Sequence, residues 1–110
     1  MKASHLHLQI SDLTGSLQWF EKVLDLRPQF QNPQMAAVPF GPLTLILDSS
    51  ENDAPATIAF ESENCDEDFR KLRARGAYVL QEPRDQPWGV RTAYFKGPGA
   101  LSFEIEQARR

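Results

Sequence analysis

Residues 5–9, His5-Leu6-His7-Leu8-Gln9, and residues 57–61, Thr57-Ile58-Ala59-Phe60-Glu61, carry the same alternation of polar and apolar side chains at an offset of 52. Period-two alternation predicts a strand in each place, with one face turned to a core. A helix is predicted after each strand. In the first, Asp12 is the N-cap and Leu13, Leu17, Phe20 and Leu24 recur at helical spacing. In the second, Asn64 is the cap, and Cys65, Phe69 and Leu72 take the places of Leu13, Leu17 and Phe20. Asp66, Glu67 and Asp68 open this helix and Arg70, Lys71, Arg73 and Arg75 follow, an order that complements the helix dipole before Gly76 stops it. The first helix is less regular, because Gly15 costs about 1 kcal/mol against Ala and Asp25 stands where a Gly stop is expected.

The correspondence resumes at an offset of 58, where residues 43–48 overlay residues 101–106 and Leu43, Leu45 and Leu47 match Leu101, Phe103 and Ile105. Shorter strands are predicted at 27–31 and 35–40, and at 77–81 and 90–95. Each half therefore reads β-α-β-β-β. The six extra residues of the second half fall at Glu82-Pro83-Arg84-Asp85-Gln86-Pro87, which its prolines mark as a loop. The predicted fold is α+β: one domain over residues 1–110, made of two tandem βαβββ modules at about 3–48 and 55–107. The modules are expected to build a curved mixed sheet with a helix on the outer face of each.

Strand parity divides the side chains into two sets. Leu6, Leu8, Ile10, Leu43, Leu45, Leu47, Ile58, Phe60, Leu101, Phe103 and Ile105 form the set that should pack on the helices. His5, His7, Gln9, Thr44, Ile46, Asp48, Thr57, Ala59, Glu61, Ser102, Glu104 and Glu106 form the other, a polar and acidic face carrying both histidines of the chain. A solvated sheet face accounts for such a pattern. So does a site, since imidazole and carboxylate serve acid/base chemistry and divalent-metal binding alike.

The 110 residues hold 12 Lys+Arg against 15 Asp+Glu, a formal charge of −3, which argues against a nucleic-acid backbone as partner. The single Cys65 allows no intrachain disulfide or Cys-based metal cage and suits a reducing compartment. It matches Leu13 in the repeat, so it reads as a small core residue. The first residues lack the apolar region of a secretory signal, and no apolar run approaches the ~20 residues of a membrane span. The expectation is a cytoplasmic protein with no membrane partner.

The stretch from His5 to Leu26 resembles the opening of vicinal oxygen chelate proteins, the superfamily of glyoxalase I, fosfomycin- and bleomycin-resistance proteins and extradiol dioxygenases. Residues 88–106, from Trp88-Gly89-Val90-Arg91 through Phe103-Glu104, are similar to that family's final two strands. Metal-using relatives draw ligands from the first and last strand of each module. By that resemblance His5 matches the first-strand His and Glu104 the last-strand Glu, whereas Thr57 replaces the second His and Ile46 fills the fourth place. Two of the usual ligands remain, with His7 as a further donor on the face of His5. The resemblance thus implies a small-molecule-binding protein, its ligand in a cavity on the polar face, without a tightly bound metal. The alternative it implies is a lyase, isomerase or dioxygenase that uses His5 and Glu104 to hold Zn, Ni, Mn or Fe. An interaction subunit with a merely solvated face is a third reading.

The segment Pro87-Trp88-Gly89-Val90-Arg91 resembles bleomycin-resistance proteins in particular. The expected ligand-binding residues are His5, His7, Thr57, Trp88, Arg91 and Glu104, of which His5 and Glu104 are also candidate catalytic groups. Trp88 can wall a pocket or anchor in the core, and Arg91 can meet an anionic ligand or an internal carboxylate. Trp19 and Phe20 read as core, and packing is the expected role of Phe30 and Phe40. If Glu104, Glu106 and His5 share one cavity, like-charge repulsion should raise a carboxyl pKa. A homodimer is implied as well, because small members of the family commonly complete their cavities from two chains.

Overall fold

The computed structural model describes residues 1–109. In chain order its elements are β1 (His5–Ile10), α1 (Leu13–Leu24), β2 (Phe30–Gln31), β3 (Met35–Phe40), β4 (Leu43–Ser49), β5 (Ala56–Glu61), α2 (Cys65–Ala74), β6 (Tyr78–Asp85), β7 (Val90–Lys96) and β8 (Leu101–Ala108). The fold is α+β. The chain forms two compact units, Met1–Ala54 and a second that begins at Pro55, each with the βαβββ order.

Each unit contains one four-stranded mixed sheet, ordered β1-β4-β3-β2 in the first and β5-β8-β7-β6 in the second. The first and last strands of each module pair in parallel, and the remaining neighbours are antiparallel. The sequence repeat becomes a repeat of register: His5 stands beside Thr44 and His7 beside Ile46, as Thr57 stands beside Ser102 and Ala59 beside Glu104.

In module one, Leu8, Ile10, Val38, Leu45 and Leu47 of the sheet are buried along with Phe20 and Val23 of α1. Asp12 caps α1 by accepting from the Gly15 N–H at 2.9 Å. A Cβ on Gly15 would strike that carboxylate, so the residue with poor helix propensity makes room for the cap. Asp25 ends α1 in the left-handed region, φ 55°, with its N–H donating to the Glu21 carbonyl at 3.1 Å. Asp tolerates that conformation better than most residues, which is how the helix stops without a glycine.

In module two, Phe69 of α2 stacks on Phe95 of β7 at 5.4 Å, over a core of Leu101, Phe103 and Ile105. Cys65 is fully buried, and burial followed by the Asp66 charge pushes its thiol pKa up, the opposite of what a nucleophile needs. The Gln107 side chain accepts from the Cys65 N–H at 2.7 Å, fastening the start of α2 to β8.

Two expectations are corrected. Residues 82–85 are strand and not loop: β6 runs through Pro83 to Asp85, with register shifts between Val79 and Gln81 and between Gln81 and Arg84. An edge strand tolerates a proline and bulges, and β6 is the outer strand of its sheet. Leu6 is 48% exposed although its parity is that of the core, because it sits near the start of the edge strand β1.

The turn into β8 contains the tightest packing constraint. A Cβ on Gly97 would run into the Phe103 ring and come within 3.2 Å of Leu101 Cβ. Phe103 is buried and stacked on Phe60, so the ring has little room to retreat. Gly97→Ala is expected to cost about 1–3 kcal/mol, measured as a lower urea midpoint with unchanged slope.

Candidate functional site

The polar face of module one presents both imidazoles. His5 and His7 lie two residues apart on β1, and their rings meet edge to face with centroids 5.3 Å apart. His5 Nδ1 is 2.7 Å from the Ser4 hydroxyl. His7 Nδ1 is 2.7 Å from Asp48 Oδ2 on β4, so its N–H donates to the carboxylate and orients the ring. Both histidines are exposed.

The equivalent face of module two carries carboxylates and hydroxyls. Thr57 and Ser102, opposite each other on β5 and β8, hydrogen-bond through their hydroxyls at 2.7 Å. One step along, Tyr94 of β7 lies opposite Glu104, and its phenol donates to the Glu104 carboxylate. Glu106 shares the face, two residues on, with Glu61 opposite it on β5. Hydrogen bonding to Glu104 raises the Glu106 pKa, with desolvation and then the Glu104 and Glu61 charges adding to the effect. A groove of about 930 Å³ lies beside this end of the face, lined by Glu61, Ser62, Glu63, Glu106, Gln107, Ala108 and Arg109.

Tyr94 was not singled out from the sequence. The signal was present in the parity of β7, where Thr92, Tyr94 and Lys96 pair with Glu106, Glu104 and Ser102. The same parity settles Arg91. It shares a face with the buried Ala93 and Phe95, and its guanidinium donates to Asp66 of α2 at 3.0 Å and to Asp85 at 3.0 Å. Of the two roles open to Arg91, an anionic ligand or an internal carboxylate, the structure shows the internal ion pairs. Trp88 lies in the turn between β6 and β7, 67% exposed, so it is not a core anchor. Trp19 is half-buried against the fully buried Phe20, and Phe30 is 52% exposed and lines a groove of about 620 Å³ beside α1, not the core.

The residues at the family's ligand positions do not fit a tightly held metal. Ile46 has no donor atom and Thr57 offers only a hydroxyl, bonded to Ser102, so of the four positions His5 and Glu104 alone carry a strong ligand, and Glu104 also accepts from Tyr94. Among the described residues no three His, Cys, Asp or Glu come together as a cation site. His5 belongs to module one and Glu104 to module two.

The hydrogen bond to Glu104, then burial and the Glu104 charge, push the Tyr94 phenol up to about 12. The group is raised above its unfolded value, so the stability it contributes is complete below about pH 10 and is lost as pH rises toward about 12. Ultraviolet titration should show one tyrosine ionising late, and Glu104→Gln should bring it back toward the ordinary value near 10.

No helix among the described residues is long and apolar enough to cross a membrane. No curated protein matches the sequence. Solved structures do match. A glyoxalase/bleomycin resistance protein/dioxygenase from Nocardioides is 23% identical with a TM-score of 0.88, over 100% of this chain and 85% of that one. A superfamily member from Sphaerobacter thermophilus is 18% identical with a TM-score of 0.77, over 97% of each chain. TioX from Micromonospora sp. ML1 is 17% identical with a TM-score of 0.81, over 98% of this chain and 99% of that one. At such identities the likeness is one of fold. The sequence model of the Glyoxalase/Bleomycin resistance protein/Dioxygenase superfamily, however, matches residues 2–105, nearly the whole chain, and the protein belongs to that superfamily.

Proposed function

We propose that this protein binds a small molecule on the polar sheet face and does so without a tightly held metal. The observation that carries the reading is the Tyr94–Glu104 hydrogen bond, with Thr57 and Ser102 bonded beside it. Two of the four positions that would hold metal ligands, Thr57 and Glu104, are hydrogen-bonded to a neighbouring side chain. Such a surface offers oriented donors and acceptors to an organic ligand: the carboxylates of Glu104 and Glu106, the phenol of Tyr94 and the hydroxyl of Thr57. His5 and His7 offer imidazole nitrogens on the face of module one, and the exposed Trp88 indole offers a stacking surface. Arg91 is left out because its charge is already matched by Asp66 and Asp85. A homodimer, in which a second copy helps to enclose the ligand, and a cytoplasmic location belong to the same reading.

The competing reading is a lyase, isomerase or dioxygenase that depends on a divalent metal at His5 and Glu104. Elemental analysis of untagged protein after dialysis against chelator separates the two. Little Zn, Ni, Mn or Fe should remain, and metal-free bleomycin, a first probe chosen for the Trp88 segment, should quench tryptophan fluorescence. Glu104→Gln should weaken that binding by about 1.5–3 kcal/mol, the usual worth of a hydrogen bond to a charged group. Stoichiometric metal that survives chelator and disappears in His5→Ala would overturn the metal-free reading in favour of the metal-dependent one. Sedimentation at micromolar concentration tests the dimer.

A further inference from the structure

We propose that His5 and His7 together form a two-imidazole chelate for a borderline divalent cation such as Zn²⁺ or Ni²⁺, within module one alone. The site goes beyond the ligand-binding reading and does not depend on it. It also differs from the family's ligand set, which takes one residue from each of several strands. Here both donors come from β1.

Three observations support the chelate. The first is spacing. Residues two apart on a strand project to the same side, and the two rings are already in contact with centroids 5.3 Å apart. Imidazoles bound to one ion through nitrogens at about 2.0–2.1 Å have centroids roughly 3.2 Å from it, hence roughly 5.2 Å from each other at a tetrahedral angle and roughly 4.5 Å at a right angle. The observed separation matches the tetrahedral arrangement, and the 67° between ring planes is compatible because each ring can turn about its metal–nitrogen axis.

The second observation is which nitrogens are engaged. Nδ1 of His5 faces the Ser4 hydroxyl and Nδ1 of His7 faces Asp48, so among the described residues no hydrogen bond occupies Nε2 of either ring. His7 donates its Nδ1–H to the Asp48 carboxylate, so its Nε2 carries the lone pair a metal requires, and His5 presents Nε2 in the same way in the tautomer that donates Nδ1–H to the Ser4 hydroxyl. The third is the carboxylate behind His7. A carboxylate on the far nitrogen of a ligating histidine fixes its tautomer and increases its basicity, and loss of such a partner typically costs about 10–100-fold in metal affinity. Asp48 stands in that relation to His7 at 2.7 Å.

Two imidazole donors select borderline ions over Mg²⁺ or Ca²⁺, with Cu²⁺ at the top of the affinity order. Two protein ligands leave the other coordination positions to water, so the ion is exchangeable and is removed by chelator.

The test uses the untagged full chain. Calorimetric titration with Ni²⁺ should give one ion per chain, and His5→Gln and His7→Gln should each weaken binding at least about tenfold, with Asp48→Asn in the range of about 10–100-fold. Glu104→Gln should leave Ni²⁺ affinity unchanged. In the unsubstituted protein, titration with Zn²⁺ should move the Nε2 resonances of both histidines, a readout that needs no variant to fold. No saturable Ni²⁺ binding, or binding that survives His7→Gln, would overturn the chelate. A loss in Glu104→Gln as large as that in His5→Gln would also overturn it, by placing the ion in the family's ligand set.

Discussion

The parallel pairing of the first and last strand in each module is the constraint on which the rest depends. It places β1 beside β4 and β5 beside β8 in a fixed register, and that register decides which side chains share a face. A slip of one residue would exchange the faces, turning His5 and His7 toward α1 and Leu8 and Ile10 into water. Burial of Leu8, Ile10, Leu45 and Leu47 in module one, and of Leu101, Phe103 and Ile105 in module two, prevents such a slip. The polar faces are a by-product of how the apolar ones are buried. Their chemistry was therefore free to diverge between modules, to imidazoles in one and carboxylates in the other.

The divergence follows one positional scheme. Where module one has His7 beside Ile46, module two has Ala59 beside Glu104, so a bulky polar group on one strand faces a simpler neighbour on the other. Asp48 and Glu106 hold matching places on the last strands, yet they serve different partners. Asp48 accepts from His7, whereas Glu106 lies among carboxylates and is held in a more readily protonated state. A duplicated backbone thus carries two unlike sets of side chains.

Alternation and offset made the architecture legible in the sequence, because apolar periodicity is a property of each strand by itself. The long face-setting strands and both helices follow from that, as does the ending of α2 at Gly76. What escaped depends on neighbours in space. The strand character of residues 82–85 was hidden because Pro83 reads as a break, and the edge position that tolerates it is a fact of sheet order. The partners of Tyr94 and Arg91 escaped for a related reason: the parity of β7 shows which of its residues share a face, but only the register with β8 sets Tyr94 against Glu104 and only the placing of α2 brings Asp66 to Arg91. The His7–Asp48 bond joins residues 41 positions apart, and only the parallel pairing brings them together.

The irregular outer strand β6 has a consequence for colloidal behaviour. A flat edge strand is a template onto which a strand of another chain can add, and natural sheets guard against this with prolines, bulges and charges. β6 has all three: Pro83, two register shifts, and the charged Glu82, Arg84 and Asp85. It also displays Tyr78 and Leu80 to solvent, side chains that would otherwise invite association. The six residues that distinguish the second module therefore act as a gatekeeper, interrupting the hydrogen-bonding ladder so that an apolar rim does not become a seed for aggregation.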